Sequence, residues 1–284
     1  MMGLTFRLIA VLEGRARPEP REVPALAEAA RLNKLYLAFL ERVGGPELEE
    51  ERRRYVRFME DAAEVAAALR GLDYAFFKFR RPLNHVSVDL DVLIKRQHVA
   101  EAARRLAGRG FKLVVAEPYT VTLERRGFII DLYTHPSFAW MVYMDGERLL
   151  DEVEEGEVWG VWGRLLSLPA EVVVAAAHAV YKEHIYLLMD YFVVRRWLGR
   201  RAVSLAEELG AGFALGLSAA LNEAIDAGAL ETPYKFSPGL AVRALAERFV
   251  EYAPFRGSSL NLPRLIANSR TPRLLLGRLL RRSY

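Results

Sequence analysis

Apolar positions follow two rhythms along this chain. Up to residue 69, and again from residue 169 onward, they recur at helical spacing; between residues 74 and 133 they alternate or cluster in short bursts bounded by glycine and proline. Leu32, Leu35, Tyr36 and Phe39 form one stripe, in a helix entered through Pro24 and ended by Gly44-Gly45-Pro46. Tyr55, Phe58, Met59, Ala62, Val65 and Ala66 form the stripe of the next helix, over 47–69, whose run from Glu49 to Arg54 is a solvated face with ion pairs one turn apart. Strands are expected over 74–79, 85–94, 111–115, 119–124 and 128–133. A helix over 97–108 falls among them, and Arg125-Arg126-Gly127 reads as a hairpin turn. The acidic run 151–157 reads as a solvated loop and Trp159 to Gly163 as a short strand or hairpin. Helices are expected over 170–181, 183–198, 204–209, 214–227 and 240–252, before a short basic amphipathic tail at 274–282. The pattern predicts an α+β chain: a small mixed-sheet core over 71–165, flanked by an N-terminal helical region (1–70) and a C-terminal helical domain (166–284).

The chemistry concentrates in the strand from His85 to Ile94. Side chains two apart on a strand share a face, so Asp89 and Asp91 point the same way, opposite Leu90 and Val92. Two like charges on one strand face repel, which calls for something positive between them. Carboxylates suit a hard divalent cation, Mg²⁺ or Mn²⁺. Asp131 stands inside the apolar strand 128–133, where an acid is costly unless paired or bound to metal. The bland alternative leaves Asp89 and Asp91 facing solvent and Asp131 salt-bridged to an arginine.

Asp-x-Asp on one strand and a lone Asp on a later one resembles the nucleotidyltransferase superfamily typified by polymerase beta. The resemblance implies that Asp89, Asp91 and Asp131 hold two metal ions, and that Asp131 also helps activate an acceptor hydroxyl. The order of Asp-x-Asp strand, helix, Gly110-Phe111 turn, hairpin and Asp strand resembles a narrower, uncharacterised bacterial and archaeal branch with a helical C-terminal half. The lead-in from Leu166 to Glu171, and a helix through His178 and Lys182, look like the segment that follows the core there. The likeness covers about residues 71–195. It implies transfer of a nucleoside monophosphate from an NTP to a hydroxyl on a small molecule, a protein or RNA.

One stretch departs from that family's pattern. Phe77-Lys78-Phe79-Arg80 stands where the branch has Lys-Gly, and a glycine there lets backbone approach a triphosphate. Lys78 matches the lysine, but Phe79 replaces the glycine. Lys78, Arg80 and Arg81 are expected to hold phosphates as charges. The same departure supports a second reading, a degenerate, non-catalytic module with a binding or regulatory role. Lys182 shares a helix face with His178 and is a further candidate for nucleotide contact. His178 is either a hydrogen-bonded core histidine or a contact behind the site; His135, just past the Asp131 strand, either reaches the metals or sits on a loop surface. Asp190 is placed to order an arginine.

Composition narrows this picture. The absence of cysteine excludes disulfides, thiolate metal sites and cysteine nucleophiles, and fits a reducing compartment. Gln97 is the one glutamine, asparagine is scarce and arginine far outnumbers lysine; this fits a heat-loving source and equally a GC-rich coding bias. No stretch has the apolar length of a membrane span, so a cytoplasmic location is expected. A net charge of +4 permits nucleotide or nucleic-acid partners. A third, weaker reading is nucleic-acid contact through Arg264, Arg270, Arg273, Arg278, Arg281 and Arg282.

Overall fold

The computed structural model describes residues 3–261 together with 263 and 283. It is an α+β chain with one mixed sheet between helices. The N-terminal helices are α1 (Leu4–Leu12), α2 (Val23–Leu32), α3 (Tyr36–Val43) and α4 (Leu48–Leu69). The middle of the chain supplies β1 (Tyr74–Phe76), β2 (Asp89–Ile94), α5 (Val99–Ala107), β3 (Lys112–Ala116), β4 (Thr120–Arg125) and β5 (Phe128–Tyr133). A small hairpin, β6 (Ser137–Phe138) and β7 (Met141–Val142), leads through α6 (Gly146–Leu150) to β8 (Val153–Val158) and β9 (Val161–Leu166). The C-terminal part comprises α7 (Leu168–Ala177), a π-helical turn from His178 to Glu183, β10 (Ile185–Tyr186), α8 (Leu188–Trp197), α9 (Arg200–Glu208), α10 (Gly212–Asp226), β11 (Tyr234–Lys235), α11 (Pro238–Glu251) and α12 (Ala253–Ser259).

The large sheet has seven strands in the order β3-β4-β5-β2-β1-β9-β8. Its β2–β5 and β1–β9 neighbours run parallel and the others antiparallel. Alternation along each strand divides the interior in two. Tyr74, Phe76, Leu90, Val92, Ile94, Ile130 and Leu132 pack with α4 and α5, through Phe58, Val65, Ala102 and Leu106. Ala75, Phe77, Leu93 and Tyr133 join a larger core with α1–α3 and the C-terminal helices. The odd-numbered positions of β2 and β5 thus face the helical half, and Asp89, Asp91 and Asp131 are among them. In the β2–β5 register Asp91 lies directly opposite Asp131.

Several elements differ from the sequence expectation, each for a local reason. The single helix expected across 24–43 is broken into α2 and α3. Lys34 is left-handed there, at φ 59°. Beside it the wholly buried Asn33 side chain donates to the Ala29 carbonyl (2.9 Å) and the Thr232 carbonyl (3.2 Å), and accepts the Leu188 N–H (2.8 Å). An interior helical position has no such long-range partners, so tertiary bonds override the stripe. The strand expected over 74–79 ends at Phe76, because Lys78 is also left-handed, at φ 56°. The strand expected from residue 85 begins at Asp89. The acidic run expected as a loop contains β8, an exposed edge strand whose charges suit an edge. The helix through His178 loosens into the π-helical turn and restarts at Leu188. The arginine-rich tail lies outside the described residues. No described helix is long and apolar enough to cross a membrane.

Candidate active site

β2 and β5 bring the three acids together. One carboxylate oxygen from each of Asp89, Asp91 and Asp131 lies within 4.8 Å of the others. Parallel pairing with Asp91 opposite Asp131 produces this directly, and Asp89 follows from the two-residue period. Ser87 Oγ donates to Asp89 Oδ1 (3.2 Å) and Thr122 Oγ1, on β4, donates to Asp131 Oδ1 (2.5 Å). Asp91 is the most buried of the three: Oδ2 meets Lys78 Nζ at 2.6 Å, while Oδ1 is buried with no hydrogen-bond partner.

The electrostatics are divided among them. Burial pushes Asp131 up to about 6, helped by Asp91 and Asp89 and opposed by the Thr122 bond. Burial also raises Asp91, against Lys78. Asp89 lies below its ordinary value: burial pushes it up, but Lys78, Lys34 and Lys182 outweigh burial. Three converging carboxylates, with one buried oxygen left without a hydrogen-bond partner, are a donor arrangement suited to a hard cation. The donor set fits Mg²⁺ or Mn²⁺ and contains no soft ligand.

A cleft of 470 Å³ is lined by Asp89 and Asp91 but not by Asp131, and cations from three distant parts of the chain line it too: Lys34, Lys78, Arg81 and Lys182. The break between α2 and α3 places Lys34 there, and burial with Arg81 and Lys78 nearby pulls its ammonium down to about 8. Lys78 is held above its ordinary value, since Asp91 and Asp89 outweigh its burial. Lys182 comes from the π-helical turn and packs over the Tyr133 ring, 5.7 Å from its centroid.

The backbone of the 77–79 turn is already occupied. Glu171, on α7 and 2% exposed, accepts the N–H of Lys78 through Oε2 (2.8 Å) and the N–H of Phe79 through Oε1 (3.3 Å). Burial nevertheless raises this carboxyl to about 7, opposed by Arg81 and those N–H groups. Where the resembling family is expected to offer bare backbone to phosphate, this chain uses a protein carboxylate. The Lys78 and Phe79 N–H groups are thus committed to Glu171.

The other candidates divide. His178 lines the cleft, and burial with Lys78 and Lys182 nearby keeps its imidazole well below the usual range, hence neutral. Its Nε2 lies 3.7 Å from Glu183 Oε1. His85, unremarked in the sequence, lines the same cleft and is likewise neutral, from burial and then Lys34 and Arg81. Arg80 pairs with Glu154 on β8 and is not among the cleft residues. His135 does not line the cleft either; its Nδ1 accepts the Gly146 N–H at 2.9 Å. Asp190 accepts the Leu187 N–H at the start of α8 (2.9 Å). Sequence reading missed Lys34, His85 and Glu171. A buried-side glutamate in the first turn of a helix reads as a dipole partner, and Lys34 reads as one cation among many.

No protein-family model matches the chain, and no curated protein matches it. Among solved structures, the antibiotic-resistance factor ANT(2'')-Ia is similar over 62% of this chain and 95% of its own, at 13% identity and a TM-score of 0.36. A likeness of that size leaves the weight on the site itself.

Proposed function

We propose that this chain is a metal-dependent nucleotidyltransferase that moves a nucleoside monophosphate from an NTP to a hydroxyl acceptor. The observation that carries the reading is the partnerless, buried Oδ1 of Asp91 within a three-carboxylate cluster, beside a cleft ringed by four cations. Asp89, Asp91 and Asp131 would hold the divalent cations, which when bound neutralise phosphate charge and polarise the acceptor oxygen. Lys34, Lys78, Arg81 and Lys182 bind the triphosphate and offset its charge as it shifts toward the leaving pyrophosphate. The acceptor oxygen forms a bond to the α-phosphorus as the α–β bridge bond breaks, and the hydroxyl proton passes to the Asp131 carboxylate. The neutral His178 and His85 add no competing charge.

Calorimetric titration with Mn²⁺ and ATP tests the reading. Binding is expected in the wild type and lost in the Asp89→Ala, Asp91→Ala double variant; absent or unchanged binding removes it.

One observation favours a second reading, a non-catalytic module of the same fold. Glu171 fills the backbone donors of the 77–79 turn and Lys78 already neutralises Asp91. That reading predicts ligand binding without turnover. Release of labelled pyrophosphate from an NTP, abolished by Asp91→Asn, rules it out.

A further inference from the structure

The cleft has an apolar end as well as a charged one. Tyr55, Phe58 and Met59 of α4, Val88 and Trp159 line it together with Asp89 and Asp91. Trp159 sits at the tip of the β8–β9 hairpin, where Val158 pairs with Val161 across a two-residue loop. Both loop residues are left-handed, Trp159 at φ 51° and Gly160 at φ 83°. That is a type I′ turn, whose first position favours asparagine, aspartate or glycine. A bulky aromatic there is conformationally unfavourable. It also gains little by burial: Trp159 is 62% exposed. Its indole meets the Tyr55 ring edge-on, with centroids 6.1 Å apart and planes at 82°. Val88, 70% exposed, immediately precedes Asp89.

The turn thus holds, against its own backbone preference, a flat and wet aromatic face at the mouth of an anion-binding cleft. We infer that Trp159 is the stacking platform for the nucleobase of the bound NTP, braced by Tyr55, so that base and triphosphate are held at opposite ends of one cleft. The inference rests on the nucleotidyltransferase reading and adds the base subsite. Stacking on an aromatic side chain tolerates every base, because each has a π-face, and is worth roughly five- to a hundredfold in affinity.

The test compares ATP with inorganic tripolyphosphate, each with Mn²⁺, by calorimetry on the full chain. The wild type is expected to bind ATP at least tenfold more tightly than tripolyphosphate. Trp159→Asn is expected to weaken ATP about tenfold and leave tripolyphosphate unchanged, while Trp159→Phe retains most of the ATP affinity. Thermal melting supplies the structural control: Trp159→Asn should melt no lower than wild type, because the new side chain suits the turn. Equal loss of ATP and tripolyphosphate, or unchanged ATP affinity in Trp159→Asn, overturns the stacking role and leaves the phosphate site standing. Failure of both ligands to bind the wild type overturns the enzyme reading and this inference with it.

Discussion

Asp131→Asn measures what it costs the empty fold to keep a charged carboxylate at residue 131. In the folded chain Asp131 titrates at about 6 rather than its ordinary 3.8, by burial first and then by Asp91 and Asp89. At about 1.4 kcal/mol per pH unit, that difference corresponds to about 3 kcal/mol. The folded value lies above the unfolded one, so the folded state binds the extra proton between them, and stability falls as pH rises through that window. The contribution of the protonated carboxyl is intact below about pH 3.8 and gone above about pH 7. The amide variant carries no charge at any pH and escapes the loss. In chelator-treated protein it should match wild type near pH 4 and exceed it by about 3 kcal/mol at pH 7.5. For a chain of this size that is about 6 °C in melting temperature. Mn²⁺ should then raise the wild type and leave the variant nearly unmoved, closing the gap. A gap that is missing at pH 7.5, or equal at the two pH values, refutes the claim that burial beside Asp91 and Asp89 raises this carboxyl.

Further outcomes follow from other contacts. Lys78→Met removes the ammonium that competes for Asp91 Oδ2, so nucleotide-free Mn²⁺ affinity should rise several-fold while ATP affinity falls; weaker Mn²⁺ binding in calorimetry contradicts the competition. Glu171→Ala strands two backbone donors and should lose about 2–5 kcal/mol in urea unfolding; a loss below about 1 kcal/mol means the 77–79 turn does not depend on it. Asn33→Ala leaves the Leu188 N–H unpaired and should cost about 2–4 kcal/mol, with ATP binding weakened by displacement of Lys34; full stability with intact binding would show the α2–α3 break holds without it. The buried Arg248 donates to the carbonyls of Leu209, Gly210 and Tyr143, and its replacement by alanine should cost about 3 kcal/mol by chemical denaturation.

Much of the centre of this fold was legible in the sequence because its information is local. The two-residue period puts Asp89 and Asp91 on one face, and the Arg125-Arg126-Gly127 turn marks the β4–β5 hairpin that carries Asp131. What was not legible depends on partners remote in the chain. The stripe through Leu32 and Leu35 continues across Lys34, and only Thr232 and Leu188 reveal that Asn33 interrupts it. The parallel β1–β9 pairing, which widens the sheet to seven strands, joins residues about ninety apart and leaves no local trace. Acidity pointed to a loop at 151–157 because a largely exposed edge strand and a solvated loop look alike in composition. Arg80 and Arg81 are neighbours of identical type, and only the backbone direction after the left-handed Lys78 sends one to Glu154 and the other to the cleft.

The register of Asp91 against Asp131 has a consequence for how this molecule tolerates change. Adding one residue inside β2 or β5 would turn every later side chain to the opposite side of the sheet and part the carboxylates. Within the segment joining those strands, β4 carries the same constraint, since its register sets Thr122 opposite Asp131, whereas the turn between α5 and β3 sets no pairing. Lengthening by insertion should therefore be survivable at the exposed turn after α5 and ruinous a few positions into β2, β4 or β5, so that chain-length variation is tolerated in that turn and forbidden in those strands.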